Sequence, residues 1–283
     1  MSQEPNKEQI DNLIKIGLNE DIGSGDITTR SIISAEQIYE AEIMARNSMV
    51  LCGLDIIKAV FHHLDSSVYY SGNSFNDGDN VPGGSKILRI KGRGVALLEG
   101  ERLALNILQR LCGIASLTRE FVERANTVEV LDTRKTTPGL RVFEKYAVHC
   151  GGGKNHRFGL HDAILIKDNH IKAAGGIIHA VNKVKKHNGS AMPIEVETTT
   201  LAEVKDAIEA KSDIIMLDNM SLKKIKEAVQ LIDGRARIEV SGTVSLSNID
   251  DLSNIGIDCV SIGALTHSYK AADISMNFLA MPS

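Results

Sequence analysis

The runs Val-Glu-Val-Leu-Asp-Thr-Arg-Lys at 128–135 and Ala-Ile-Leu-Ile-Lys-Asp at 163–168 share one form: a short apolar, β-branched segment that ends abruptly in charge. Strand segments of the same kind are read at Val128–Leu131, Ala163–Ile166, Ile194–Val196, Ile214–Leu217, Ile238–Val240 and Val260–Ile262. Continuous apolar runs, as opposed to alternating ones, are what parallel strands covered on both faces require. Helical patterns follow most of them. Thr200-Leu-Ala-Glu203 forms a capping box ahead of Val204, Ala207 and Ile208, Ser221 precedes Leu222, Ile225, Val229 and Ile232 at helical spacing, and Ser247-Asn-Ile-Asp250 reads as a second box. Repeated βα units imply right-handed crossovers and an α/β fold whose parallel sheet, with at least six strands, is expected to close as a barrel.

In such a barrel the chemistry gathers where the strands end. The strand-end residues are Asp132-Thr-Arg134-Lys135, Lys167-Asp168, Glu197, Asp218, Ser241-Gly242 and Gly263, so every unit delivers a charged or anion-cradling group to one rim. From Asp132 to Lys172 there are eight Lys or Arg residues against four acids, in a chain whose net charge is −4. A local cationic excess of this kind suits a small polyanion.

The first hundred or so residues have a different pattern, that of a smaller α+β domain. Glu8–Asn19 reads as a helix, Gly23-Ser-Gly25-Asp26 as a turn, and Tyr39–Ala45 and Ile87–Lys91 as strands flanking a Gly- and Asn-rich loop at 72–84. Glu101–Leu111 reads as a helix burying Ala104, Ile107, Leu108 and Leu111 on one stripe, with Arg102 and Arg110 outside it. The expected division is 1–113 and 114–269, with 270–283 returning to the first domain.

At 283 residues the chain can bury a full core without staples. Its mild acidity, with a pI near 6.1, excludes nucleic acid or an anionic membrane surface as the main partner. Cys52, Cys112, Cys150 and Cys259 are far apart and show no C-x-x-C pairing, which argues against a zinc ribbon or a disulfide framework. The polar N-terminus has no signal-peptide core and no apolar run approaches a membrane span, so a reduced, cytoplasmic setting is expected.

Each rim residue has a chemical and a plain reading. Arg134 and Arg157 suit a planar dicarboxylate because a guanidinium is a fixed two-pronged donor, but either can instead pair with Asp132 or Asp162. Lys167, ending an apolar strand, fits a Schiff-base nucleophile, an anion partner, or a snorkelling structural lysine. Glu197 and Asp218 can ligate Mg²⁺ and bind ribose hydroxyls, or simply neutralise Lys135 and Lys167. The Ser241-Gly242-Thr243 and Ile262-Gly263-Ala264 turns can aim backbone N–H groups at a phosphate, although boundary glycines are common. His149, His156, His161 and His170 match no zinc spacing, and only His156, beside Arg157, is placed for ligand contact. Gly151-Gly-Gly153-Lys154 lacks the spacing and the following Ser or Thr of a P-loop, which rejects a nucleotide triphosphatase.

The segments Glu20-Asp-Ile-Gly-Ser-Gly-Asp-Ile-Thr-Thr29, Gly100-Glu-Arg-Leu-Ala-Leu-Asn106, Asp132-Thr-Arg-Lys-Thr-Thr-Pro-Gly-Leu-Arg141, Asn155-His-Arg157, Ile166-Lys-Asp-Asn-His170, Glu195-Val-Glu197 and Leu217-Asp-Asn219 run in order through nearly the whole chain. Together they closely resemble the quinolinate phosphoribosyltransferase family. The resemblance implies an N-terminal α/β sandwich and an open-sided α/β barrel, assembled as a homodimer or higher homo-oligomer whose sites are completed by an arginine of the partner, here Arg102. It further implies that Arg102, Arg134, His156, Arg157 and Lys167 bind quinolinate, with Thr136 of the same motif in the substrate-binding set. Lys135, Glu197 and Asp218 would contact 5-phosphoribosyl 1-pyrophosphate and its Mg²⁺, while Ser241, Gly242, Thr243, Ile262, Gly263 and Ala264 would cradle the 5-phosphate. Lys135, Lys167, Glu197 and Asp218 form the implied catalytic set. One departure is Thr243, where many members have Gly or Asn; it keeps the N–H but puts any positive-φ geometry there in doubt. The alternatives are a Schiff-base aldolase or lyase built on Lys167, the molybdenum-transport-associated paralogue of the same fold, a more distant nicotinate-specific transferase, and a non-catalytic sensor of phosphorylated metabolites. Three arginines favour a dicarboxylate over a single carboxylate.

Overall fold

The computed structural model describes residues 4–72, 74–188, 192–242 and 244–279. In chain order its first elements are α1 (Lys7–Asp21), α2 (Ile27–Ile32), β1 (Ile38–Ala45), β2 (Met49–Val50), α3 (Leu54–Leu64), β3 (Tyr69–Ser71), β4 (Asn80–Val81), β5 (Lys86–Arg93) and α4 (Gly94–Ala125). There follow β6 (Glu129–Leu131), α5 (Arg141–Cys150), β7 (Ile164–Ile166), α6 (Asp168–Ala174), α7 (Ile177–Asn188), β8 (Ile194–Thr198) and α8 (Leu201–Glu209). The last are β9 (Ile214–Asp218), α9 (Leu222–Ile232), β10 (Arg237–Ser241), α10 (Ile249–Leu252), β11 (Cys259–Ser261), α11 (Ala264–His267) and β12 (Ile274–Phe278). Two compact units result, one of Met1–Arg119, Pro138–Gly152 and Tyr269–Ser283, the other of Glu120–Thr137 and Gly153–Ser268.

The first unit is built on an antiparallel sheet in the order β12-β1-β5-β3. Its period-two pattern sets the register. Ala41 faces Ile90 and Ile43 faces Leu88, all fully buried, while the alternate positions pair Glu42 with Arg89 and Glu40 with Lys91. A one-residue slip would exchange these faces, so burial of each large apolar side chain, about 1.5–3 kcal/mol, also specifies the alignment. The chain's last strand, β12, lies against β1 with Ala41 opposite Phe278.

Helix α4 runs for 32 residues, well beyond the expected Glu101–Leu111. Gly100 and Gly113 suggest helix breaks, but both serve close packing. A Cβ on Gly100 would lie 3.0 Å from Phe61 and Leu64, and one on Gly113 would lie 2.4 Å from the Lys270 carbonyl oxygen.

The second unit carries a parallel sheet of six strands among the described residues, in the order β6-β11-β10-β9-β8-β7. All six apolar runs of the sequence are strands. The sheet does not close: β6 and β7 are its two ends, and the free edge of β6 is met instead by Lys154, whose N–H donates to Val130 O and whose O accepts from Asp132 N. That segment holds the position a closing strand would occupy, giving the open-sided form that the family resemblance implies. The Thr200–Glu203 capping box forms, with Thr200 Oγ1 accepting from Glu203 N and the Glu203 carboxylate from Thr200 N. The Ser247 box does not. Asn248 is the N-cap of α10, its Oδ1 accepts from Ser245 N, and Ser247 Oγ bonds Ser245 Oγ. None of the described helices is long and apolar enough to cross a membrane.

Candidate active site

The ends of the six parallel strands surround a cavity of about 550 Å³. From β6 and its loop come Thr133, Arg134 and Lys135; from the loop before β7, His156 and Arg157; from the end of β7, Lys167. Strands β8 to β11 add Glu197, Asp218, Asn219, Ser241, Gly242, Ser261 and Gly263. Most of the expected site residues therefore meet in one place. Thr133, Asn219 and Ser261 join them, and only their position beside strand-end charges could have marked them in the sequence.

The loop carrying His156 and Arg157 is fastened by two acids, one buried and one exposed. Fully buried Asp132 accepts from Asn155 Nδ2 at 2.6 Å and His156 N at 2.9 Å. Asp162 accepts from Phe158 N at 2.6 Å and Gly159 N at 2.8 Å. These bonds hold the turn, so the acids serve the loop that presents Arg157. Arg157 donates through Nη1 to Ala163 O at 3.3 Å. Burial, and then the like charge of Arg134, hold the Arg157 guanidinium below its ordinary pKa. Two guanidiniums that repel one another beside a cavity form a ready-made receptor for a dianion.

Lys167 Nζ lies 2.9 Å from Glu197 Oε2, with Lys167 half exposed and Glu197 nearly buried. Asp218 Oδ2 accepts from Asn219 Nδ2 at 2.8 Å. Asn219 sits at φ 53° and donates its N–H to Ser241 O, and Gly242, at φ 99°, packs so tightly that a Cβ would come 2.2 Å from Asn219 Oδ1. Only glycine fits there on both counts. Lys135 lies along Gly263, whose missing Cβ would be 2.9 Å from Lys135 Cδ, and Thr266 Oγ1 donates to Lys135 O at 2.8 Å.

Several expected residues are placed otherwise. Ile262 is corrected: its side chain is buried and its N–H donates to Leu131 O, so that donor belongs to the sheet. Ala264 opens the four-residue α11, and neither it nor Thr136, whose N–H donates to Arg134 O, lines the cavity. Arg102 is exposed on α4 in the first unit. Thr243 lies outside the described residues.

Two clusters escaped the sequence reading. His156, Glu195 and Glu239 bring one ligand-type atom each within 4.8 Å of one another, and so do Cys52, Asp77 and Cys150 in the first unit. The second shows that cysteines remote in sequence meet in space, but Asp77 there accepts from Gly53 N, Leu54 N and Tyr146 Oη. A further cavity of about 450 Å³ in the first unit has its charges already matched, Arg30 to Glu99 and Arg93 to Asp65.

The chain matches the quinolinate phosphoribosyl transferase N-terminal domain over residues 26–112 and the C-terminal domain over 114–277. It is 44% identical over 271 residues to a probable nicotinate-nucleotide pyrophosphorylase [carboxylating] of Bacillus subtilis (strain 168), covering 95% of this chain and 93% of that one. A chloroplastic nicotinate-nucleotide pyrophosphorylase [carboxylating] of Arabidopsis thaliana is 41% identical, with 93% and 81% covered. The crystal structure of NadC from Streptococcus pyogenes superposes with a TM-score of 0.93 at 43% identity, covering 99% of this chain and all of that one.

Proposed function

Since the chain belongs to the quinolinate phosphoribosyltransferase family, we propose that its cavity binds quinolinate and 5-phosphoribosyl 1-pyrophosphate side by side, Arg134, Arg157 and Lys167 taking the diacid and Glu197 and Asp218 the sugar. The reaction is transfer of the phosphoribosyl group to quinolinate with decarboxylation, giving nicotinate mononucleotide, pyrophosphate and CO₂ for NAD biosynthesis. The observation that carries the assignment of residues is the meeting of Arg134, Arg157 and Lys167 with Glu197 and Asp218 around one cavity.

The chemistry follows from these groups. The ring nitrogen of quinolinate displaces pyrophosphate at the anomeric carbon through a transition state with oxocarbenium character, a type stabilised by nearby carboxylates. Glu197 and Asp218 supply that negative charge and accept from ribose hydroxyls. Arg134 and Arg157 fix the diacid so that its nitrogen faces the sugar, converting a bimolecular encounter into an oriented one. Lys135 offsets charge growing on the leaving group. Backbone N–H groups at the Gly242 and Gly263 turns suit the 5-phosphate. The C2–carboxylate bond then breaks to release CO₂, its electron pair staying on C2 beside the positively charged ring nitrogen, and a proton from water completes the C2–H bond of the product. No side-chain nucleophile takes part.

Glu197 and Asp218 offer hard oxygen donors from adjacent strand ends, the set through which Mg²⁺ is held by one or two carboxylates together with substrate phosphates. When bound, Mg²⁺ would neutralise pyrophosphate charge. A Schiff-base role for Lys167 needs its amine free to attack a carbonyl, whereas Lys167 Nζ is already bonded to Glu197 Oε2 at 2.9 Å. We also assign the protein to the cytoplasm and to a homodimer or higher homo-oligomer in which exposed Arg102 of one copy completes the site of another.

Incubation with quinolinate, 5-phosphoribosyl 1-pyrophosphate and Mg²⁺ should release CO₂ in step with pyrophosphate. Absence of turnover, or borohydride trapping of a carbonyl compound on Lys167, would overturn the reading. Mixing Arg102→Ala with Lys167→Ala subunits should restore part of the activity; no recovery would remove the shared site.

A further inference from the structure

His156 stands where an imidazole would be expected to meet the substrate, yet its ring nitrogens are both engaged inside the protein. Nδ1 accepts from the backbone N–H of Arg157 at 2.8 Å. A backbone amide always carries its hydrogen, so Nδ1 must present a lone pair and the ring proton must sit on Nε2. Nε2 in turn lies 3.1 Å from Glu195 Oε2 and 3.6 Å from Glu239 Oε2, and both carboxyls are almost fully buried. The imidazole therefore donates to Glu195.

Two further facts make this more than a core histidine. Glu195 and Glu239 come from β8 and β10, strands separated by β9, and converge on a single ring atom of His156, which itself lines the cavity. Each also has an Oε1 that is buried without a hydrogen-bond partner. Two buried, incompletely satisfied carboxyls are costly, and such costs persist where function requires the arrangement. The same atoms invite a metal reading. It fails on the ring: a metal at Nε2 needs Nε2 without its proton while Nδ1 is already an acceptor, which would demand an imidazolate beside two acids.

We propose that Glu195 and Glu239 are positioning residues: they lock His156 in one ring orientation and one tautomer, and through the His156 Nδ1 to Arg157 N–H bond they set where the Arg157 guanidinium meets the diacid. His156 then touches the substrate only through its carbon edge. The consequence for recognition, though not the tautomer itself, rests on the reading of Arg157 as a quinolinate-binding residue.

The tautomer can be read on the unmodified protein without substrate, by long-range ¹H–¹⁵N correlation of the His156 ring. The expected spectrum shows a pyridine-type Nδ1 and a pyrrole-type Nε2 that keep their identity when quinolinate is added. A proton on Nδ1, an imidazolium, or exchange of the two nitrogens upon addition of quinolinate would overturn the proposal. In steady-state kinetics, Glu195→Ala should raise KM for quinolinate about tenfold, as expected for a small displacement of a binding group, with KM for 5-phosphoribosyl 1-pyrophosphate changed less than about twofold. Glu195→Gln should largely recover it, because the amide oxygen still accepts from Nε2. Equal effects on both substrates, or no recovery by Gln, would reduce the pair to a general structural role and overturn the proposal. Stoichiometric Zn²⁺ binding lost in Glu239→Ala would do the same in favour of a metal centre. If instead no variant or wild type turns over quinolinate while the ring spectrum is as expected, the substrate assignment fails and the locked imidazole stands.

Discussion

Asp65 in the first unit and Glu239 in the second are equally withdrawn from water, with side chains 4% and 2% exposed, yet they are treated in contrary ways. Asp65 accepts from Ser67 N, Ser67 Oγ and Arg93 N, and Arg93 Nε lies 3.3 Å away. Burial alone would raise its pKa, but those donors hold it well below the usual carboxylate range. Glu239 has the Cys259 thiol, the Ser261 hydroxyl and His156 Nε2 as its polar neighbours, and its Oε1 is buried without a hydrogen-bond partner. Burial, and then the charge of Glu195, push its carboxyl up to about 7. A charge that builds the fold is surrounded by donors, whereas charges that shape a site for ligands are left crowded and incompletely answered.

Four substitutions would break or sharpen that contrast. The largest effect is expected for Arg157→Ala, which should lower kcat/KM for quinolinate by about 10²–10³-fold through loss of charge-assisted bonds. Its thermal midpoint should hold or rise, since burial and Arg134 already oppose the charge; a large fall in melting temperature would erase the distinction between the units. Asp65→Asn should do the reverse, costing about 2–3 kcal/mol in urea unfolding of the first unit while kcat is unchanged.

The third test is pH. The folded pKa of Asp65 is depressed, so its contribution to stability is full above the unfolded value of 3.8 and disappears as pH falls through the folded value. The folded pKa of Glu239 is raised, so its contribution is full below 4.5 and is lost as pH climbs through about 7. Glu239→Gln should flatten the decline between these limits by an amount on the order of 1–3 kcal/mol, with Glu195, His156 and Cys259 as the neighbouring groups that tune it. Urea midpoints at pH 5 and pH 8 would measure it, and an unaltered slope would deny the strain at Glu239. The smallest effect is expected for Lys91→Ala, whose exposed pair with Glu40 should contribute less than about 1 kcal/mol.

The strands of the second unit were legible because buried parallel strands write themselves as uninterrupted apolar runs, and the rim residues followed from where those runs stop. The helix α4 was underestimated because glycine marks both helix ends and tight packing, and only the neighbours Phe61, Leu64 and Lys270 decide between them. The open side of the barrel came from the family resemblance and not from the strand pattern, because nothing local shows that Lys154 will meet the edge of β6. Glu195 and Glu239 were passed over although each lies two residues before a site residue, Glu197 or Ser241, and so on the same strand face. An acid at an inward strand position is a signal in itself, but its convergence with His156 depends on strand order, which sequence spacing does not state.

The pairing of β12 with β1 has a consequence for biosynthesis. The first unit needs a strand that the ribosome makes long after β1, so β1 must wait with one edge open while residues 153–268 emerge and can already pack together. Nascent chains stopped short of Ile274 should therefore keep a native-like parallel sheet but expose the edge of β1, a template for association with other chains.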